Sequence, residues 1–202
     1  MKLKELCGIK SGYQGKMQEG EKYEIIKMKD VEKDGVINYK DLESFDTEKE
    51  PTKFLLQKGD VILKARSGDN TAALINEDVE NVVAAPHFMI LKIKSIEEIE
   101  SELKKEKLNM EYKHMELQPG YLELYLNSEY AQEYFKTNSE GTTLPIIKSK
   151  TLGELDIKLI PKDEQLKLIE AYNLVKLERR YMEELAKKRE DQFTAYLRSF
   201  LD

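Results

Sequence analysis

At 202 residues, with 40% hydrophobic and 36% charged side chains, the chain has room for one domain and an appendage or for two small domains. A single cysteine, Cys7, excludes a disulfide framework and makes a reducing compartment the expectation. The formal net charge of −6 argues only weakly against nucleic acid, because binding depends on local basic patches more than on the total.

Much of the acidity lies in two stretches, 41–50 and 97–116, which are expected to face away from a ligand. The opening Met1-Lys2-Leu3-Lys4-Glu5-Leu6-Cys7 is too charged for a signal peptide. No run approaches the ~18 apolar residues that span a membrane. A cytoplasmic protein without membrane contact is expected.

In chain order, Leu3–Cys7 reads as one helical turn. Glycines at 8, 12, 15 and 20 make the next segment tight and loop-rich. A strand is expected over 23–28, a turn at Asp34-Gly35, and an exposed loop from Asp41 to Pro51. Further strands are expected over 61–65, 71–75, 81–85 and 88–93, separated by the turns Lys58-Gly59-Asp60, Ser67-Gly68-Asp69-Asn70 and Pro86-His87.

From Ile96 the period becomes helical. Ile96, Ile99, Leu103 and Lys107 suggest a charged helix, Pro119 starts another through Leu126, and Ser128 caps a third. Residues 138–143 read as a loop, Thr151–Leu155 as a short helical turn, and Asp156–Ile160 as a strand-like run ending at Pro161.

No proline or glycine follows Pro161, and Asp163 and Glu164 put negative charge on what would be a first helical turn. One helix of roughly 60 Å follows at 1.5 Å per residue. Leu168, Tyr172, Val175, Arg179, Met182, Ala186, Arg189, Phe193, Tyr196 and Phe200 recur at alternating steps of four and three, a seam of coiled-coil spacing broken by two arginines. The helix either folds back on its own domain or pairs with a helix of another chain; its length favours the second. The expected fold class is α+β: a mixed α/β domain over 1–160, then one long helix over 161–202.

Catalytic motifs are missing. No glycine spacing fits a phosphate-binding loop, and the one cysteine and two histidines, His87 and His114, are too scattered for a metal site. There is no Gly-x-Ser-x-Gly and no Pro-Pro of a base methylase motif. A non-catalytic protein without metal or cofactor is expected.

An ordered set of segments carries a family resemblance. Leu6-Cys7-Gly8-Ile9-Lys10-Ser11-Gly12 comes first, then Ile26-Lys27-Met28-Lys29-Asp30-Val31 with Gly35. Leu56-Gln57-Lys58-Gly59-Asp60-Val61-Ile62-Leu63 and Ala84-Ala85-Pro86-His87-Phe88-Met89-Ile90 follow. Tyr121-Leu122, Leu126-Asn127-Ser128, Gly141-Thr142-Thr143, Leu152 to Pro161 and Glu164-Gln165 complete it. Over nearly the whole chain this resembles one target-recognition domain plus one spacer helix of the DNA specificity subunit of type I restriction-modification systems. Such subunits usually carry two of each, so the chain looks like a half-size form.

The resemblance implies a non-catalytic DNA-recognition subunit directing partner subunits. Those partners would be double-stranded DNA, an S-adenosylmethionine-dependent DNA adenine methyltransferase and an ATP-dependent restriction subunit. It also implies a homodimer whose long helices form an antiparallel coiled coil through Leu168, Tyr172, Val175, Met182, Ala186, Phe193, Tyr196 and Phe200, reading a bipartite site. Arg179 and Arg189 then meet carboxylates such as Glu178 or Glu183 across the pair, or lie at a solvated edge.

Candidate DNA contacts are polar and basic residues on loops. The N-terminal loop offers Lys10, Ser11, Tyr13, Gln14 and Lys16, and the turn after the Gly-Asp strand offers Lys64, Arg66, Ser67, Asn70 and Thr71. Thr142, Thr143 and Lys148 suit phosphates. The competing class is a helix-dimerised interaction module, or a competitor that pairs with a full-length specificity subunit and alters its targeting.

Overall fold

The computed structural model describes residues 1–103, 115–141 and 145–201. Leu3–Leu6 is a helical turn, α1, and it leads directly into strand β1 (Cys7–Ser11). Strands β2 (Gln18–Ile26) and β3 (Glu43–Asp46) follow, then β4 (Val61–Lys64), β5 (Ala72–Leu74), β6 (Val82–Ala84) and β7 (Phe88–Ile93). The helices are α2 (Ile96–Leu103), α3 (Pro119–Leu126), α4 (Glu129–Asn138), α5 (Ser149–Gly153) and α6 (Lys162–Leu201). The mixed α+β architecture with a long C-terminal helix is the one the residue pattern predicts.

The strands form two sheets, a four-stranded antiparallel one in the order β1-β7-β4-β5 and a three-stranded one in the order β3-β2-β6. In the second, β2 runs antiparallel to β3 and parallel to β6, with a register shift between Gln18 and Tyr23. β4 shows why the larger sheet is central. All four of its residues are buried, and alternate side chains face opposite layers. Val61 and Leu63 join Leu91, Leu122 and Phe135 in the core beneath the helices; Ile62 joins Ile90, Phe88, Val83 and Tyr23 in the core between the sheets. A strand buried on both faces reads as a continuous apolar run.

Local chemistry ends the elements where the sequence suggests. Pro119 occupies the first turn of α3, where its missing N–H has no partner to lose. The Ser128 hydroxyl accepts from the Ala131 N–H at the start of α4.

Three expectations are corrected. β1 is a full strand of the central sheet, paired with β7 from Cys7↔Ile93 to Ser11↔Met89, rather than loop. The segment from Asp41 to Pro51 contains β3, whose Phe45 is buried against Tyr13 and Tyr23. The run from Asp156 to Ile160 makes only a single bridge, Lys2↔Asp156, and otherwise holds the chain start through Met1 and Ile157. The expected helix past Leu103 and His114 lie outside the described residues.

Cys7 begins β1 inside the core, and burial pushes its thiol up to about 12. The thiolate is the nucleophile, so the folded protein should resist alkylation at pH 8 and react at an ordinary rate only in denaturant. Mass spectrometry after iodoacetamide, with and without guanidinium, reads this directly. Rapid modification of the native chain would show that β1 opens locally.

Candidate nucleic-acid interface

Backbone hydrogen bonds bring three of the sequence-nominated loops to one edge of the central sheet. Beyond β1, the Gly12 N–H donates to the Phe88 carbonyl and the Tyr13 N–H to the Ala84 carbonyl, both within 2.9 Å. A side chain at residue 12 could not fit, since its Cβ would lie 2.0 Å from the Ala85 carbonyl oxygen. The turn after β4 is tied to the Pro86-His87 turn, because the Ala65 N–H donates to the His87 carbonyl at 2.9 Å and the Arg66 N–H at 3.3 Å. The segment before α5 joins them through the Ile147 N–H, 2.8 Å from the Ala65 carbonyl.

The result is a groove of about 410 Å³ with Met89, Ile146 and Ile147 among its apolar lining. Ser11, Gln14, Arg66 and Lys148 line it with Ser149 and Lys150, and Pro86 forms part of its wall. Arg66, Lys10, Lys16 and Lys150 are exposed and form no ion pair among the described residues. Lys148 pairs with Glu140 at 2.6 Å, with both side chains largely in solvent. Exposed pairs of this kind contribute little, about 0–1 kcal/mol, so a phosphate can displace the carboxylate.

The turn carrying Arg66 is rigid for reasons internal to it. Lys64 is buried and its ammonium sits 3.2 Å from Asp69 Oδ2; Asn70, at φ +39°, donates its amide to the Lys64 carbonyl at 2.9 Å. The Lys64 N–H donates to the Thr71 carbonyl. Burial pushes the Asp69 carboxyl up, but the Ser67 hydroxyl and Lys64 outweigh it, and the group titrates below its ordinary range. Gln132 on α4 holds the Asn70 carbonyl at 3.2 Å.

The nominated residues therefore separate into two sets. Lys10, Gln14, Lys16, Arg66 and Lys148 are exposed, and Ser11 and Ser67 are half-buried with Ser11 in the groove. Lys64, Asn70 and Thr71 are buried, and the Lys64 ammonium, the Asn70 amide and the Thr71 carbonyl bond within the turn. Tyr13 is also buried, its hydroxyl 2.7 Å from Thr47 Oγ1. Thr142 and Thr143 lie outside the described residues. Lys150 and the Pro86-His87 turn were missed as groove residues. The Ala-Ala-Pro-His segment did signal a fixed turn, but its place beside residue 66 depends on sheet pairing.

The acidic stretch at 41–50 does not turn wholly away from this edge. The Tyr13–Thr47 bond holds it against the N-terminal loop, where Glu48 and Glu50 share a cavity of about 460 Å³ with Lys16. Lys16 therefore stands at an acidic margin, and Arg66 and Lys150 do not.

α6 leaves the domain on the opposite side of α3 from the central sheet and has two distinct sectors. Gln165, Ile169, Tyr172, Lys176 and Arg180 face the domain. The predicted seam lies on another sector: Leu168, Val175, Met182, Ala186, Phe193, Tyr196 and Phe200 are exposed, and only Tyr172 is drawn onto the domain. Every described residue from Tyr181 onward is exposed. The fold-back reading is thus partly met, since about four turns lie on the domain, and the rest of the helix projects from it.

Solved structures place this arrangement. A chain from a study of complex assembly and conformational transition of the type I R-M system superposes with TM-score 0.64 at 15% identity, covering 95% of this chain and 41% of that one. The chain has the fold of a type I restriction-modification specificity subunit. The type I S subunit from M. genitalium, a second example of that fold, matches at TM-score 0.51 and 18% identity over 85% of this chain and 37% of its own. The HsdS subunit from Thermoanaerobacter tengcongensis matches at 0.61 and 15% over 92% and 43%. The chain therefore spans about two-fifths of the length of these specificity-subunit structures. No protein-family model and no curated protein matches the sequence.

Among the described residues no cluster of His, Cys, Asp or Glu could hold a metal ion, and no helix is long and apolar enough to cross a membrane.

Proposed function

We propose that this chain is a non-catalytic, half-size DNA specificity subunit that works as a homodimer. Residues 1–160 form the reader, and residues 161–202 the spacer and dimerisation helix. The observation that carries the reading is the match of nearly the whole chain to about two-fifths of specificity-subunit structures, joined to a projecting helix whose apolar seam is open to solvent.

A second copy fits that seam because antiparallel pairing makes one stripe complementary to itself. A two-fold axis then relates two reading faces. Symmetric readers select symmetric sites at a separation fixed by the scaffold, so the target is an interrupted palindrome. Joining two half-sites raises apparent affinity by effective concentration. The DNA-facing set is Lys10, Ser11, Gln14, Arg66, Ser67 and Lys148, with Lys16 at the margin and Thr142 and Thr143 retained as phosphate candidates. Lys64, Asn70, Thr71 and Tyr13 then serve as supports for the loops rather than as contacts. The partners are a DNA adenine methyltransferase, which must extrude its target base, and an ATP-dependent restriction subunit.

Arg66 is the residue on which sequence preference should depend most. It is exposed, forms no ion pair among the described residues and is carried by a rigid turn, and a guanidinium bidentate to guanine is worth about 1–3 kcal/mol of discrimination. Arg66→Ala should relax preference at one base pair of each half-site, read by sequencing DNA retained from a randomised pool by the complex with the methyltransferase. Lys148→Ala should weaken all sites alike, since phosphate contacts carry no sequence. Unchanged preference in Arg66→Ala would move the reader to another loop.

Co-purification tests the reading as a whole. A methyltransferase subunit retained with two copies of this chain supports it. Retention with one copy and a full-length specificity subunit supports the competitor, and retention of neither supports a helix-dimerised module.

A further inference from the structure

The contact between α6 and the domain is apolar at Ile169, which packs on Gly120, and polar further along the helix. Lys176 Nζ lies 2.8 Å from Glu123 Oε1, and both side chains are largely withdrawn from solvent. One turn on, the Arg180 guanidinium forks between Asp34 Oδ2 at 3.0 Å and Glu32 Oε2 at 2.8 Å. The acidic wall is itself fixed. Gly35, at φ +80°, turns the chain so that Glu32 and Asp34 sit beside Glu123, and a Cβ there would lie 2.4 Å from the Ala72 carbonyl oxygen.

Burial pushes the Glu123 carboxyl above its ordinary range, against the pull of Lys176. A buried ion pair is seldom a gain over an apolar contact of the same size; its better-attested use is to fix geometry.

This wall is also linked to the reading edge. Asn127 exchanges two hydrogen bonds of 2.9 Å with the backbone of Ala72, the first residue of β5 after the Arg66 turn, and its amide also reaches the Tyr172 hydroxyl at 3.4 Å. A displacement of α6 on the domain would therefore change its angle to the reading turn.

We propose that the clamp of Lys176 and Arg180 on Glu123, Asp34 and Glu32 sets the direction in which α6 leaves the reading face, and so the number of base pairs between half-sites. The clamp acts on DNA only through the helix, so these are positioning residues. The inference rests on the dimeric reader proposed above. Helix length alone fixes how far the readers stand apart along the coiled coil; the clamp fixes their rotation and offset, to which one base pair of ~3.4 Å and about a tenth of a turn is a large change.

Two measurements test it on the full-length dimer. Spin labels at Lys53→Cys and Lys188→Cys, in a chain diluted into unlabelled protein, report the distance between reader and helix by pulsed paramagnetic resonance. Selection from pools with fixed half-sites and variable spacers reports spacing. The wild type should give one narrow distance and one preferred spacer, with neighbouring spacers weaker by about tenfold or more, as for a lost base contact. Arg180→Ala and Lys176→Met should broaden the distance and admit spacers one base pair longer and shorter, leaving half-site bases unchanged. Arg180→Lys, which keeps the charge but not the fork, should restore both only in part.

Arg180 is partly exposed, so its variant decides the matter if Lys176→Met does not fold. A narrow distance and unchanged spacer choice in folded Arg180→Ala would overturn the clamp. A wild-type complex with no spacer preference would instead sink the dimeric reader, and the label distances would then decide the clamp on their own.

Discussion

Met182→Asp combined with Phe193→Asp should convert a dimer into a monomer at micromolar concentration while leaving the domain folded. Both side chains are more than 60% exposed in the single chain, on the sector of α6 that faces away from the domain. In an antiparallel pair each would insert between side chains of the other helix. Burying a side chain of this size is worth about 1.5–3 kcal/mol. A homodimer loses each contact twice, so the pair of substitutions costs roughly 6 kcal/mol of association, about ten-thousand-fold in dissociation constant. The aspartates meet solvent in the monomer, where such changes stay within about 0.5 kcal/mol apart from a small loss of helix propensity. Sedimentation equilibrium should show the lost dimer and thermal unfolding an almost unchanged domain. A wild type that is already monomeric, or a variant that dimerises as well, would contradict the assignment of the seam.

Gln165→Ala should be among the most destabilising single changes in the protein, although Gln165 lies on a helix that is otherwise mostly in solvent. Its side chain is completely buried. The amide nitrogen donates to the carbonyls of Ile160, Glu116 and Met115 at 2.8–3.3 Å, and its oxygen accepts from the Gln118 N–H at 2.9 Å. That last bond caps the entry to α3, so one side chain fastens the start of α6 to the start of α3.

Truncation strands a buried N–H, at about 1–3 kcal/mol, and opens a cavity costing about 2 kcal/mol more. With a total near 4 kcal/mol and about 2–4 °C per kcal/mol at this size, the unfolding midpoint should fall by roughly 10 °C. Gln165→Glu, nearly identical in shape, should be as damaging at neutral pH, because a carboxylate would face three carbonyl oxygens. Calorimetry of both variants checks this. A midpoint within 2 °C of wild type for Gln165→Ala, a shift of well under about 1 kcal/mol, would mean that α6 is not fastened there.

The same residue shows what the sequence could and could not say about α6. The Glu164-Gln165 pair is legible as part of a family pattern, and the heptad seam is legible from periodicity. The face that holds the helix to its domain is legible only in part: Tyr172 falls within the seam, but Gln165, Lys176 and Arg180 are polar, and a search for apolar spacing passes over them. Its partners are equally hidden. Glu123 sits in an apolar helical run, where a lone carboxylate is the available signal, and Glu32 and Asp34 read as ordinary turn residues until β5 and α3 place them.

The strands divide in a similar way. β4 and β7 are apolar runs bounded by turns and were found by pattern alone. β1 is short, contains Gly8, and owes its existence to pairing with β7, 78 to 86 positions away, which no local window contains. β3 has one buried side chain, Phe45, among acidic neighbours, so its composition resembles a solvated loop. At the candidate interface the structure brings three of the nominated loops together, but the sequence does not show their division into exposed and buried residues. Lys64 looks like a ligand-facing cation in sequence, and the structure spends it on Asp69.

The dimeric reader proposed above is tested most directly by the methylated motif in cells that express this chain with a DNA adenine methyltransferase subunit, compared with cells lacking the chain. One new motif is expected, an interrupted palindrome with identical half-sites and adenine methylated in both strands. A new motif with two unlike halves, or a methylation pattern that does not change when the chain is removed, would contradict it.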